Sequence, residues 1–251
     1  MAKITSNNGR PPKRFDGYVT YPMENGTYVM KRKSGFTGKG LRFDPKYAHC
    51  RFNSSEFGRV SKLGKVIRNT LVSHLPKSNN LAVCNQLTRT LRKVMLCDTI
   101  HSLGERTVYE GLRTNEGKDL LVNYSFNPST CFRTIFKGSV YFDLDKQLLE
   151  LEFTPLENGF VFPEGADCIS LQLGYFGINE WAEVSTNHLG EFILLTKDHE
   201  LKTIIANLPE ATENSAVLIY YMVAAFYVVA EDCFLPYLED STKVIEVLGV
   251  I

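Results

Sequence analysis

One segment constrains the fold more than any other: fifteen apolar residues, AVLIYYMVAAFYVVA, follow one another at positions 216–230. The run is shorter than the roughly 20 residues that a helix needs to cross a bilayer. Acidic residues flank it, with Glu213 before it and Glu231 and Asp232 after it. Its content of Val, Ile, Tyr and Phe favours a strand, and a strand this apolar is buried on both faces. We predict a long central strand in a protein core and no membrane span.

Shorter segments in which apolar and polar residues alternate surround this run after residue 104. They are 118–126, 132–143, 148–154, 167–176, 190–196, 202–208 and 243–251. Turn residues such as Asn158, Gly159 and Pro163 separate them. Short strands at this spacing are typical of an antiparallel β-sandwich. We therefore predict a mainly β protein, with an immunoglobulin-like sandwich at the C-terminal side and Trp181 at an edge of its core.

Two segments before residue 104 follow a helical period instead. Residues 54–75 and 80–96 repeat apolar side chains at steps of three and four, which predicts an amphipathic helical hairpin inserted before the sandwich. Asn53 and Glu56 resemble a capping box at the start of the first helix. Glycine inside a helix costs roughly 1 kcal/mol relative to alanine, so we expect a close neighbour at such positions. The first helix has two of them, Gly58 and Gly64.

The first third of the chain is basic and rich in turn residues. Residues 1–14 indicate an extended arm, 16–33 a β-hairpin, and 34–46 a loop with three Gly and one Pro. The loop contains GFTGKG, which is not a phosphate-binding loop because its spacing is wrong and no Ser or Thr follows the Lys. The predicted organisation is a basic region 1–104 (arm, β-hairpin, helical hairpin) and an acidic β-sandwich region 105–251.

The formal net charge of zero conceals a division along the chain. Residues 1–100 contain 19 Lys and Arg against 5 Asp and Glu, whereas residues 101–251 contain 9 against 23. Such halves could neutralise each other inside one molecule or form ordinary solvated surfaces. They could also attract outside partners: polyanions to the basic half and basic surfaces to the acidic half.

No arrangement of residues indicates a catalytic, cofactor or metal site. The five His (49, 74, 101, 188, 199) have no partner at metal-ligand spacing, and GxSxG, SxxK and GxGxxG are absent. His49 and Cys50 are adjacent, which would point them to opposite faces of a strand. Two carboxylate pairs have the spacing of one strand face, which a solvated acidic surface explains. They are Asp143 with Asp145 and Glu150 with Glu152. We predict a protein that is not an enzyme.

The six cysteines (50, 84, 97, 131, 168, 233) form no CxxC pair, and no N-terminal apolar run indicates export. Dispersed cysteines in such a chain indicate reduced thiols and a cytoplasmic location.

Basic side chains form the candidate partner-binding set: Lys31, Arg32, Lys33, Arg59, Lys62, Lys65 and Arg68. The last four recur at three-residue steps and predict a basic ridge along the first helix. Aromatic residues lie between the cations of the N-terminal region, as in grooves that bind single-stranded nucleic acid. The same residue types suit docking on an acidic protein surface.

Residues 17–71 resemble the N-terminal part of an uncharacterised family of Bacteroidota proteins. The resemblance rests on the hairpin ending VMKRKSG, on Asp44-Pro45, and on SSEFGRVSKLGKVIRNTL at 54–71. The family pattern there reads approximately SEFGRAxKAGKLIR. The chain departs from it at 50–53, where an Arg-Thr-Arg-Glu-Asn-like string is expected, and at Val60 and Leu63, which replace Ala. The resemblance implies a recurrent architecture and no particular reaction.

These observations favour a non-enzymatic structural subunit without a cofactor. Its basic N-terminal half would dock on the acidic β-rich half of another copy, or on an acidic protein surface, with edge strands or the arm adding hydrogen bonds. Such head-to-tail contacts build a ring or a filament. The alternative is a cytoplasmic nucleic-acid-binding protein that uses the same basic half, and a virion or mobile-element component is a third interpretation.

Overall fold

A computed structural model describes most of the chain as two compact units, Met1–Asn53 and Ser54–Ile251. The described residues are 2–4, 13–15, 17–23, 27–32, 37–77, 80–143, 146, 148–153, 159–181, 183–199, 203–208, 217–231, 233–237 and 242–251. The fold is mainly β, with antiparallel sheets and a pair of long helices. The predicted boundary between residues 104 and 105 marks a change of charge and hydrophobic period, and it lies inside the second unit.

The first unit contains a four-stranded antiparallel sheet with the order β1-β4-β3-β2. Its strands are β1 (Ala2–Ile4), β2 (Arg14–Phe15), β3 (Tyr18–Pro22) and β4 (Tyr28–Arg32). Strands β3 and β4 confirm the predicted hairpin, whose turn at 24–26 lies outside the described residues. The two short strands come from the predicted arm and its end, and they add to the hairpin on either side.

The predicted loop at 34–46 is wrong where the structure describes it. Helix α1 (Gly38–Phe43) and a 3-10 turn (Pro45–Tyr47) occupy this stretch. Two side-chain caps hold them despite the glycines: Thr37 Oγ1 accepts from Gly40 N at 3.0 Å, and Asp44 Oδ1 accepts from Lys46 N at 3.1 Å.

Two long helices confirm the predicted helical pair. Helix α2 spans Ala48–Thr70 and helix α3 spans Asn80–Leu96. The first begins before Asn53, so the predicted capping box is wrong, and Glu56 is a buried residue of the helix interior. Of its two glycines, Gly58 has open space around it, whereas an added Cβ at Gly64 would be at ordinary contact distance (3.6 Å) from Leu91.

Three short helices follow the helical pair, and the second and third of them overlap the starts of the segments predicted as strands at 118–126 and 132–143. They are α4 (Val108–Leu112), α5 (Asn115–Asp119) and α6 (Phe132–Ile135). Thr107 and Thr114 cap α4 and α5 through their hydroxyls. Gly111 allows α4 to lie directly against the backbone of α3, because a Cβ there would overlap the Val94 carbonyl. The strand predictions are therefore wrong at 118–126, which forms the end of α5 followed by turns, and at 132–135, which forms α6.

The second unit contains two antiparallel sheets. The three-stranded sheet has the order β5-β6-β9, with β5 (Ser139–Asp143), β6 (Leu148–Glu152) and β9 (Thr203–Asn207). In the five-stranded sheet, β8 (Val184–Thr196) pairs with β7 (Cys168–Ile178), and β7 pairs with β10 (Val217–Ala230). Strands β11 (Cys233–Pro236) and β12 (Val244–Val250) pair with the other side of β10. The predicted central strand is therefore confirmed.

The two faces of β10 belong to two separate hydrophobic cores. Val217, Ile219 and Tyr221 pack in a cluster with α2 and α3, whereas Leu218 and Tyr220 pack in a cluster with the three-stranded sheet. This explains why the run lacks alternation in polarity. None of the described helices combines the length and the apolar character that crossing a bilayer requires. The prediction for Trp181 is wrong: its side chain is 71% exposed in the turn between β7 and β8.

Candidate interaction surfaces

The first unit presents its basic side chains to solvent. Lys31 and Arg32 are exposed at the end of β4, and they lie on opposite faces of the sheet because they are neighbours in a strand. Lys33 lies outside the described residues. Tyr18 and Tyr21 of the adjacent strand are 38% and 52% exposed. Cations and aromatic rings are thus accessible on the same hairpin.

Charge and burial distinguish the two units. Residues 1–53 contain 11 Lys and Arg against 3 Asp and Glu, and residues 54–251 contain 17 against 25. Among the described side chains of the first unit none is buried, whereas the second unit contains both hydrophobic cores. The basic helices α2 and α3 share a core with strands of the acidic region. The basic segment 1–100 is therefore divided between the two units, and the charge contrast that remains is between the units.

The predicted ridge on α2 is divided by the fold. Arg59 is engaged inside the molecule: Nη2 donates to the carbonyl oxygens of Gly104 at 2.6 Å and Arg106 at 3.2 Å. Arg68 is partly buried, and its Nη1 has no hydrogen-bond partner among the described protein atoms. Lys62 and Lys65 are exposed on the same helix. These two lysines are the residues of the ridge that are most accessible to a partner.

A second charged residue of this helix, Glu56, belongs to a buried ion pair. Glu56 accepts from Arg106 Nε at 2.8 Å and Nη2 at 2.9 Å, and from Gly104 N at 2.8 Å. The hydrogen bond from Arg106 holds the pKa of Glu56 below its usual value, although burial opposes this shift. Glu56 and Arg59 together attach α2 to the loop that follows α3, so their role is structural.

Asp98 fixes the same loop from its other end. Burial alone would raise the pKa of this carboxyl, but hydrogen bonds from Thr107 N, from the backbone and ring of His101 and from Ile100 N lower it. The His101 ring lies 2.8 Å from Asp98 Oδ2. No serine, cysteine or threonine hydroxyl or thiol among the described partners of His101 completes a nucleophilic arrangement.

An acidic face with exposed apolar side chains lies on the three-stranded sheet. Tyr141, Glu150 and Ile205 form one cross-strand row, with Tyr141 54% and Ile205 62% exposed. Glu152 lies on the same face, two residues further along β6, and is exposed. Asp143 belongs to this face as well, and Lys146 neutralises it at 3.2 Å. Asp145 lies outside the described residues. Negative charge beside an exposed ring and an exposed aliphatic side chain suits a basic, aromatic partner surface.

A cleft of about 390 Å³ lies between the two sheets, where edge strands β8 and β9 approach each other. Its wall is apolar and comes from four strands: Leu149, Leu151, Leu171, Leu173, Ile193 and Ile204. His188, Glu191 and Asn207 add polar groups. The sequence predicts the strand segments but not how their edges meet. It therefore gives no indication of this cleft.

The described residues hold no group of three or more His, Cys, Asp or Glu that could bind a metal ion. All six cysteines are free thiols. His49 and Cys50 are neighbours on α2 rather than on a strand, and the His49 ring packs edge-on to Phe52 at 6.3 Å between centroids. Comparison of the chain with family models, with curated proteins and with solved structures gives no match.

Proposed function

We propose that the protein is a non-enzymatic assembly subunit whose basic first unit docks on the acidic β-rich unit of another copy. One observation carries this proposal: residues 1–53 have 11 cationic against 3 anionic residues and no buried described side chain. A unit of this size buries too little apolar surface to be stable on that basis alone. Docking on a surface of opposite charge would supply both burial and charge neutralisation.

The acidic face of the three-stranded sheet is the acceptor that this proposal selects. Tyr141 and Ile205 offer exposed apolar area, and Glu150 and Glu152 offer charge opposite to that of Lys31 and Arg32. Donor and acceptor are different surfaces of one chain, so the contact is heterologous. Repetition of such a contact closes a ring or extends a filament, depending on the rotation between copies.

Three finer expectations belong to the same proposal. The shared core of the two sheets supports an immunoglobulin-like sandwich in the second unit. Six free thiols support a cytoplasmic location. Helix α2, which contains the SEFGR string, supports a recurrent N-terminal architecture of the Bacteroidota type.

Paired charge reversals test the contact directly. K31E/R32E reverses the donor and E150K/E152K reverses the acceptor. Each variant alone should remain a monomer under conditions in which the wild-type chain associates. An equimolar mixture should form a complex, because the reversed donor of one variant fits the reversed acceptor of the other. Light scattering at several concentrations measures the mass.

The matched control is R89E/R92E, which makes the same charge change at exposed positions of α3. It should associate like the wild-type protein. Wild-type-like association of both test variants, or the absence of a complex in their mixture, would contradict the proposed contact.

Nucleic-acid binding is the second candidate function, and the exposed Tyr18 and Tyr21 beside Lys31 and Arg32 favour it. Titration with single-stranded DNA and RNA of about 20 nucleotides across a salt series separates the two functions. Binding through phosphates weakens steeply as salt rises. In K31E/R32E, the slope of log affinity against log salt concentration should decrease by about one for each phosphate contact that is lost. No salt-dependent binding would exclude this alternative.

A further inference from the structure

The apolar cleft between the two sheets has polar groups that a β-bulge brings to its wall. Along β7, Gln172 pairs with Phe192 and Gly174 pairs with Leu189, so two steps on β7 match three steps on β8. Strand β8 therefore contains one extra residue between these pairs. Bulges of this kind redirect side chains and are frequent beside functional sites.

The bulge places His188 and Glu191 on the same side of β8. These residues are three positions apart, and in a regular strand they would point to opposite faces of the sheet. Both nevertheless line the cleft. The His188 ring stacks on the buried ring of Tyr175, with 5.8 Å between centroids and an interplanar angle of 6°. The His188 ring is thus held in a defined orientation.

Gly174 permits this arrangement. A Cβ at position 174 would lie 2.7 Å from the His188 carbonyl oxygen and 2.9 Å from Tyr221 Cζ. Only glycine lets β8 approach β7 so closely at the point where the extra residue is accommodated. The bulge and the glycine opposite it are therefore one structural feature.

The chemistry of the wall defines the ligand. A volume of about 390 Å³ falls in the range of small-molecule sites, about 300 to 1,000 Å³. Leucine and isoleucine side chains supply the wall, so the body of the ligand is aliphatic. Among the described residues that line the cleft, Glu191 is the one Asp, Glu, Lys or Arg. A carboxylate attracts a cationic head and repels an anionic one.

We propose that this cleft binds an amphiphile with an aliphatic chain and an ammonium head. The chain lies against Leu171, Leu173 and Ile204, and the head donates hydrogen bonds to Glu191, with His188 and Asn207 as polar neighbours. This site adjoins the proposed assembly contact, because Ile205 lines the cleft and also belongs to the acidic face of the three-stranded sheet. Its polar groups His188 and Glu191 lie on β8, outside that face.

Isothermal titration calorimetry of the full chain with decylamine, decanol and decanoate, each below its aggregation limit, tests the site. Decylamine should bind at least about tenfold more tightly than decanoate, because a charge-assisted hydrogen bond replaces a like-charge contact. E191Q should lower the affinity for decylamine by about tenfold and leave that for decanol unchanged. The matched control is E183Q, which neutralises an exposed carboxylate just before β8 and outside the cleft; it should bind all three like the wild type.

Two results would overturn the proposal. Absence of saturable binding of all three compounds would show that the cleft takes no aliphatic ligand. Equal affinities of the wild-type protein for decylamine and decanoate, or an unchanged decylamine affinity in E191Q, would refute the ammonium assignment. Circular dichroism melting of E191Q shows whether the variant retains the wild-type fold, since Glu191 is exposed on a strand surface.

Discussion

At the scale of single residues, buried carboxylates decide how the loop after α3 is held. The sequence pattern at Asn53 and Glu56 predicts a helix cap, which is a local interaction. In the structure Glu56 binds Arg106, 50 positions away in the chain. No periodicity reveals such a partner, and an unpaired acid on the apolar side of a helix is the one signal that could have suggested it. Buried charges of this kind require a partner.

Loss of this pair should be costly. We expect Glu56→Gln to lower the free energy of unfolding by about 3 kcal/mol, because the variant leaves Arg106 largely buried without its counter-charge. Urea unfolding followed by circular dichroism measures the change. The control is Glu110→Gln, which breaks the more exposed pair with Arg113 and should cost about 0.5 kcal/mol or less. Equal costs for the two variants would contradict the structural role of Glu56.

The same carboxylates predict a loss of stability in acid. The pKa values of Glu56 and Asp98 are lowered in the folded protein, so the unfolded chain takes up protons first as the pH falls. Their contribution is complete above the unfolded pKa values, near 4 to 4.5, and is lost as the pH falls through the lower folded values. Burial raises the pKa of Glu246, which has the opposite effect.

We expect the urea midpoint of the wild-type protein to fall between pH 5 and about pH 3. The midpoint of Glu56→Gln should fall less over the same interval, because one of the lowered groups is absent. Comparing how steeply the urea midpoint of each protein falls with pH separates the contribution of Glu56 from that of all other carboxyls. Parallel slopes would contradict the pKa assignment.

At the scale of elements, the predictions are confirmed where a single pattern of apolar residues covers the whole element. Helix α3 begins and ends where its apolar stripe does, and β10 coincides with the apolar run. The strand prediction is wrong at 118–126, where alternation is present but the end of α5 and turns form. Close backbone contacts at Gly111 and Gly117, in the helices just before that segment, are not visible in a sequence pattern. The bulge in β8 was missed for the same reason.

The packing of α4 on α3 gives a sharp test. Gly111→Ala should lower the free energy of unfolding by about 3 kcal/mol, because its Cβ would overlap the Val94 carbonyl oxygen and push the helices apart. Gly58→Ala makes the same substitution in the interior of α2, where no atom lies within 4 Å of the added Cβ. It should raise stability by about 0.5 to 1 kcal/mol. Thermal or urea unfolding measures both, and a stable Gly111→Ala would refute the close approach.

At the scale of the whole molecule, charge is distributed by unit rather than by half-sequence. The change at residue 104 was visible in the sequence, but α2 and α3 share a core with the acidic strands. Composition reports how many charges a segment has, and it does not report which segments fold together. The contrast that the fold retains lies between residues 1–53 and 54–251, and the proposed assembly depends on it.

The molar mass of the wild-type chain across concentration and salt tests this account most directly. In about 0.01 M salt, where charges act over about 30 Å, the mass should rise above the 28.4 kDa of one chain as concentration increases. In about 1 M salt, where screening reduces this range to about 3 Å, the mass should return towards that of one chain. A constant 28.4 kDa at every concentration in low salt would contradict the account.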